Sequence, residues 1–210
     1  MLGVADLEQG ARALEERYGL KALPGGRHPG AGTANMIVPL GTAYLELIAV
    51  VDESEVQQGH LGRRVQEAVA AGRTFVTWAI RTDDLESLRQ FLIDEGWQRH
   101  EIRDGSRERA DGKVIRWRTL DLGSGAMPFA IQWQVPDGEH PGRMEVQHPS
   151  GLDTIGDIVL ESEVEDERRR LELVLGHHVQ YGVRHGPLNG IRELVLTGSE
   201  GDERIVEGGS

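Results

Sequence analysis

Val4-Ala5-Asp6-Leu7-Glu8-Gln9-Gly10-Ala11 opens a helical pattern that continues through Leu14 and Tyr18 to Gly19-Leu20. The pattern returns at Thr82-Asp83-Asp84-Leu85, running through Leu88, Phe91 and Leu92 to Gly96-Trp97. A third copy starts at Glu163-Val164-Glu165-Asp166 and runs through Leu171 and Leu175 to Gly176. Each begins with an acidic residue able to cap free amides and ends on a glycine able to take the left-handed closing position. Apolar residues three and four apart give each helix one buried face. The closing glycines stand roughly 80 residues apart, which marks an internal repeat.

Strand-like runs fill the intervals. Residues 34–40 and 43–50 flank the turn Gly41-Thr42 and read as a hairpin. Residues 74–80 precede the second helix, and 113–121 and 128–135 form another strand pair across Gly123-Ser124-Gly125. Residues 156–161 precede the third helix, with 190–196 and 204–206 as short strands after it, and 56–71 read as a helix bridging the first two copies. The expected fold class is α+β: two paired βαβββ-type modules forming a half-open barrel, plus a partial third βαββ module. The modules span 1–72, with a truncated first strand, then 73–150 and 151–210. A helix covers one face of such a unit, and two bare faces curled together make a mouth suited to a ligand. The third unit lacks a fourth partner, so its bare face is expected on the barrel or on a second subunit, and a homodimer is expected.

Composition narrows the function classes. The 210 residues carry 23 Lys and Arg against 35 Asp and Glu, a net charge of −12 and a pI near 5.1. So acidic a surface repels phosphate backbones and anionic bilayers, and neither nucleic acid nor membrane is an expected partner. With no cysteine, disulfides, thiolate metal sites and thiol nucleophiles are excluded. The first residues lack a basic start and apolar run, and no apolar stretch approaches the ~20 residues of a membrane span, so the expected compartment is the cytoplasm.

More specific signals lie in Gly25-Gly26-Arg27-His28-Pro29-Gly30-Ala31-Gly32-Thr33-Ala34-Asn35, followed by Tyr44-Leu45-Glu46-Leu47. Ile115-Arg116-Trp117-Arg118, Pro128-Phe129-Ala130-Ile131-Gln132-Trp133 and His148-Pro149-Ser150-Gly151 come after them. In this order and spacing the chain resembles the glyoxalase-like domain proteins of the vicinal oxygen chelate superfamily over nearly all of residues 2–176. The resemblance implies two βαβββ modules around one metal-centred cavity, with a His on the first strand and a Glu on the last strand of module one and equivalent groups in module two. Carried over by position, Glu46 matches the first-module glutamate, and Gln132 stands where the second module usually has a carboxylate. Thr77 falls at the second-module first-strand position, and the first-strand His falls before Met1. A divalent ion (Zn, Ni, Fe or Mn) is then expected on Glu46 with Gln132 in support, and Glu46 is the expected catalytic group for shifting a proton.

Read from the residues themselves, alternation sends Tyr44, Glu46 and Ile48 to the cavity face and Leu45 and Leu47 to the helix. A buried carboxylate needs a partner, so Glu46 serves a ligand or is bonded to Asn35 or Gln132. Gln132 shares a face with Ala130 and Gln134, either as an inward amide lining for a ligand or as a solvated mouth. Asn35 either orients Glu46 or a ligand carbonyl, or caps its loop. Arg116 and Arg118 share a strand face: inward they would hold an anion, outward they pair with surface acids. Trp117 and Trp133 are expected to pack on helices and the 25–33 loop to cover the cavity edge, with Arg27 and His28 either at the entrance or, as the common case for loop charges, simply solvated. His148 is expected at the cavity rim and His177-His178 as a cap on the third helix. The ligand-binding set is therefore Asn35, Tyr44, Thr77, Arg116, Arg118, Gln132 and His148. Two functions fit: a small-molecule protein with an incomplete metal site, or an active metal-dependent lyase, isomerase or dioxygenase acting on two adjacent oxygens.

Overall fold

In a computed structural model that describes residues 1–57, 59–98, 100–109, 112–176 and 179–208, the acidic starts and glycine stops act as expected in the first two copies. At the third, Asp166 makes no side-chain cap bond among the described residues, and Gly176 (φ 53°, ψ −130°) is not in the left-handed helical conformation. Strand β1 (Leu2–Gly3) leads into helix α1 (Leu7–Tyr18), whose first turn is capped by Asp6 accepting from the Gln9 amide at 2.8 Å. Gly19, at φ 59°, ends the helix by donating to the Glu15 carbonyl. There follow β2 (Leu23–His28), β3 (Thr33–Leu40) and β4 (Ala43–Val50), the last two joined at Gly41-Thr42 as the sequence predicts. The expected bridging helix is broken at Gly59 into α2 (Glu53–Val56) and α3 (His60–Ala70).

The second copy repeats the order: β5 (Ala79–Arg81), α4 (Leu85–Asp94), β6 (Ile102–Glu108), β7 (Val114–Asp121) and β8 (Phe129–Trp133). Asp84 caps α4 through the Ser87 amide at 3.0 Å. Together the two copies form one curled eight-stranded sheet of order β1-β4-β3-β2-β6-β7-β8-β5. In each copy the first strand lies parallel to the last, β1 on β4 and β5 on β8. Leucines on the outer face of β4, Leu45 and Leu47, join Leu14 of α1 in the main apolar core. Each such buried leucine contributes about 2 kcal/mol.

The two copies meet along two seams. At one, β2 and β6 pair antiparallel through Arg27 and Glu108. The sequence alone reads 25–33 as loop and leaves 102–108 unassigned, because Pro24, Gly25 and Gly26 have poor strand propensity and 102–108 is polar. Pairing of β2 with β3 and of β6 with β7 makes these segments strands, and the single pair Arg27–Glu108 joins the two copies. Gly26 permits the close approach, since a Cβ there would overlap the Glu108 carbonyl oxygen. At the other seam, residues 74–77 run beside β1: Gly3 donates to the Thr74 carbonyl and Val76 to that of Met1, both at 3.1 Å.

The third copy keeps the helix but changes the wiring. Strands β9 (Leu152–Ser162), β10 (Tyr181–His185), β11 (Gly190–Gly198) and β12 (Gly201–Val206) form a separate sheet of order β10-β9-β11-β12, with α5 (Glu167–Leu175) between β9 and β10. The chain leaving α5 returns directly alongside β9, in parallel, instead of crossing to a far edge. This unit docks on the barrel within the same chain. Glu207 accepts from the Phe75 amide at 3.0 Å and from Arg73 Nε at 3.2 Å, and the buried Glu167 accepts from the Ala126 amide. The cap expected from His177-His178 lies outside the described residues.

Gly26→Ala should prise the β2–β6 seam and lower stability by about 2 kcal/mol. A urea unfolding series measures this, and an unchanged midpoint would contradict the close approach.

Candidate functional site

The concave side of the eight-stranded sheet encloses a cavity of about 580 Å³. Its walls alternate by strand register. From β4 come Tyr44 and Glu46, from β3 Asn35 and Ile37, from β2 His28, and from the 74–77 segment Thr77. The second copy contributes Arg107 from β6, Trp117 and Thr119 from β7, and Phe129, Ile131 and Trp133 from β8. Residues 29–31 and the start of α3 close the rim, as the glycine-rich sequence suggests: Glu55 accepts from the Gly30 and Gly32 amides at 3.1 and 3.2 Å, and Arg27 pairs with Asp52 and Glu55.

At the inner end lies a connected polar group. Glu46 is 6% exposed, and its Oε1 accepts from Asn35 Nδ2 at 2.7 Å. The same Nδ2 faces His28 Nε2 at 3.3 Å, and Asn35 Oδ1 accepts from Arg107 Nη1 at 3.0 Å. Because the amide nitrogen can only donate, His28 Nε2 accepts, and its Nδ1–H donates to Thr33 Oγ1 at 2.9 Å. His28 Nε2 stands 3.9 Å from Glu46 Oε1, and the ring meets Trp117 edge-on. Asn35 thus joins a buried cation to a buried anion without direct contact between them. Gly25 makes this possible: a Cβ there would collide with Asn35 Oδ1 and stand 2.6 Å from Arg107 Nη1.

Burial sets the protonation states. It lowers the His28 pKa from the ordinary 6.5, with the Arg107 charge adding to the effect and Glu46 opposing it. Burial likewise raises the Tyr44 phenol, with Glu46 adding to it, so Tyr44 stays a hydroxyl donor. Tyr44 packs edge-on against Trp133 and His140, and Trp133 lies 5.3 Å from Trp117, giving the cavity an aromatic wall.

The structure brings Asn35, Tyr44, Glu46 and Thr77 together but places the rest of the expected set elsewhere. On β8 the inward residues are Phe129, Ile131 and Trp133; Gln132 points outward, accepting from Arg118 Nη2 at 2.6 Å and donating to the Asp83 carbonyl. Arg118 also points outward, in a two-pronged pair with Glu86 of α4, and Arg116 is exposed on the same face. Trp117 and Trp133 therefore face the cavity and not the helices. His148 is no rim residue: its Nδ1 accepts from the Lys21 amide at 3.0 Å and its Nε2 donates to the Pro39 carbonyl at 2.8 Å, tying the 148–150 turn to the barrel wall. His28, expected in solvent, is 5% exposed inside.

Register explains the exchange on β8. Leu2 pairs with Leu47 in the first copy, and its counterpart Ile80 pairs with Ala130 in the second. Glu46 therefore corresponds to Phe129, three residues before Gln132, and an odd offset reverses the face. Glu46 and Gln132 lie on opposite sides of the sheet and cannot share an ion. A divalent centre needs about three imidazole or carboxylate donors, and among the described residues no group of three His, Asp or Glu is so placed. Glu46 Oε1 is already engaged by Asn35, its counterpart is a phenyl ring, and a guanidinium stands alongside. These donors do not fit the expected Zn, Ni, Fe or Mn.

A family model described as the glyoxalase-like domain matches residues 1–175. The chain belongs to that family. It is a glyoxalase-like protein of the vicinal oxygen chelate superfamily, with the paired modules the fold displays. Among solved structures it is similar to a hypothetical protein from Staphylococcus aureus, at 15% identity and a TM-score of 0.69 over 86% of this chain and 83% of that one. It is also similar to a methylmalonyl-CoA epimerase from Streptomyces coelicolor, at 15% identity and a TM-score of 0.45 over 64% of this chain and 94% of that one. The first likeness is one of fold, and the second, at that score, carries no argument. No curated protein sequence matches.

Arg107 goes unnoticed in the sequence of this glyoxalase-like protein because Ile102–Glu108 is polar on both faces. The available signal is the pair Gly25-Gly26, which announces that something large approaches β2 closely.

The buried neutral His28 makes the fold acid-sensitive. Below about pH 6.5 the unfolded chain takes up a proton that the native state refuses, so stability falls by up to about 1.4 kcal/mol per pH unit until the lowered native pKa is reached. His28→Gln should remove this component from denaturation curves across pH 7 to 5. An unchanged slope would contradict a neutral imidazole there.

Proposed function

We propose that this glyoxalase-like protein binds a small organic molecule inside the barrel, with a flat apolar part against Trp117 and Trp133 and a polar end at Glu46, Asn35, His28 and Arg107. The observation that supports this reading is the cavity itself. A space of about 580 Å³ joins an aromatic wall to a connected set of buried hydrogen-bonding groups, the combination by which proteins hold and orient small ligands. Tyr44 and Thr77 add hydroxyls to its lining.

A second reading is enzymatic. Glu46 is a carboxylate held in place by Asn35 within a cavity, an arrangement suited to moving a proton on a bound ligand, as a lyase or isomerase requires. Metal-dependent lyase, isomerase or dioxygenase chemistry needs donors beyond Glu46. Protein loaded with Mn, Fe, Ni or Zn and then desalted should retain well under one ion per chain, and stoichiometric metal would restore that alternative. No helix among the described residues is long and apolar enough to cross a membrane, and a cytoplasmic homodimer belongs to the proposal. Light scattering should give about twice 23.2 kDa, and a mass of 23.2 kDa would remove the dimer.

Flat, ring-bearing small molecules, neutral and charged, should raise Tm in a concentration-dependent way, by several degrees at about 100 times Kd. Trp133→Ala should weaken the effective compounds about tenfold, reflecting the lost ring contact and area. Absence of any shift across such a panel would overturn the reading.

A further inference from the structure

We infer that Arg107 is an oxyanion anchor, and that the barrel takes a small flat carboxylate in preference to the corresponding neutral compound. The inference rests on the cavity being a ligand site and adds the chemical class of the ligand.

Arg107 is 3% exposed and lines the cavity, carrying a positive charge that no carboxylate among the described residues contacts directly. Of its five N–H donors, the Nη1 group reaches the neutral oxygen of Asn35, and Nε, itself closed to solvent, has no hydrogen-bond partner among the described residues. A buried guanidinium with donors to spare is costly unless an acceptor arrives, and its planar fork matches a carboxylate. Glu46, the buried acid of the cluster, is held off by the intervening amide, so it offsets the charge without occupying the donors.

The surroundings point the same way. The antiparallel pairing of Arg27 with Glu108 sets Arg107 opposite His28, which is neutral and brings no competing charge. Two residues back on the same strand, Gly105 leaves room for the Trp117 ring, so an apolar surface lies beside the cation. Nearer the mouth Arg103 and Arg64 line the approach, with Asp104 and Asp121 as the acids there. On a chain of net charge −12, a cavity where Arg64, Arg103 and Arg107 match Glu46, Asp104 and Asp121 repels an anion less than the rest of the surface does, and Arg107 gives it a cationic point to meet. The same guanidinium disfavours a dication at Glu46 and can itself supply the positive charge that draws a ligand oxygen.

The test compares benzoate and indole-3-acetate with their primary amides by titration calorimetry and by quenching of tryptophan fluorescence, in chelator-treated protein. Wild type should bind the carboxylates at least tenfold more tightly than the amides. Arg107→Met should abolish that preference, with the carboxylates losing at least tenfold more affinity than the amides, and Arg107→Lys should retain part of it. Glu46→Gln, which removes the facing negative charge, should tighten the carboxylates severalfold. Equal binding of acid and amide by wild type overturns the inference while leaving the cavity as a binding site, and so does a preference that survives Arg107→Met. Failure of every compound to bind overturns both. Should Arg107→Met not fold, the wild-type comparison and Glu46→Gln still decide.

Discussion

The amide of Asn35 holds the cavity together. It donates to Glu46 and accepts from Arg107, so a carboxylate from one copy of the repeat and a guanidinium from the other share a low-dielectric space without touching. Neither charge would be tolerable alone, because removing one partner of a buried pair leaves the other uncompensated, at about 3–5 kcal/mol. The amide costs little to bury here because both its ends are occupied. His28 completes the arrangement by presenting a lone pair to the second amide hydrogen, which keeps the imidazole neutral and its Nδ1–H on Thr33.

Internal symmetry makes the rest of the site lopsided. The two copies superimpose their strand order, yet where the first has Glu46 the second has Phe129, and where the first pairs His28 with Thr33 the second pairs Gly105 with Trp117. Duplicated backbones with divergent linings set Glu46, Asn35 and His28 of the first copy against Trp117, Phe129 and Trp133 of the second, which also supplies Arg107. A ligand that spans both must itself be two-ended. This division departs from the two-sided donor set that a metal-centred member of the family would carry.

Much of the fold was legible because it depends on local rules. Asp6 and Asp84 cap helices, Gly19 and Gly41 turn the chain, and the leucines of β4 mark its helix-facing side. Strands β2 and β6 escape a sequence reading because neither has strand propensity of its own, and each is a strand through its hairpin partner, β3 or β7. The inward set Asn35, Tyr44, Glu46 and Thr77 followed from alternation and from the family resemblance. Gln132 did not, because Phe129–Trp133 is a short strand with large apolar groups on one face and an alanine and an amide on the other, and helix α4 covers the face that carries the amide. Arg116 and Arg118 follow the same parity: with Trp117 inward they can only face α4 and solvent. His148 was legible as a turn residue, but its role as a brace between Lys21 and Pro39 depends on contacts more than a hundred residues distant in sequence.

Adjacent glycines on β2 meet two different demands. Gly26 admits the neighbouring backbone, and Gly25 leaves space for the bond between Asn35 and Arg107. The joining of the two halves and the wiring of the charged interior thus depend on neighbouring residues of one strand. A chain that has reached its native topology already holds these polar groups in place, so under the proposed function a small molecule would meet a cavity whose ordering entropy was spent before it arrived.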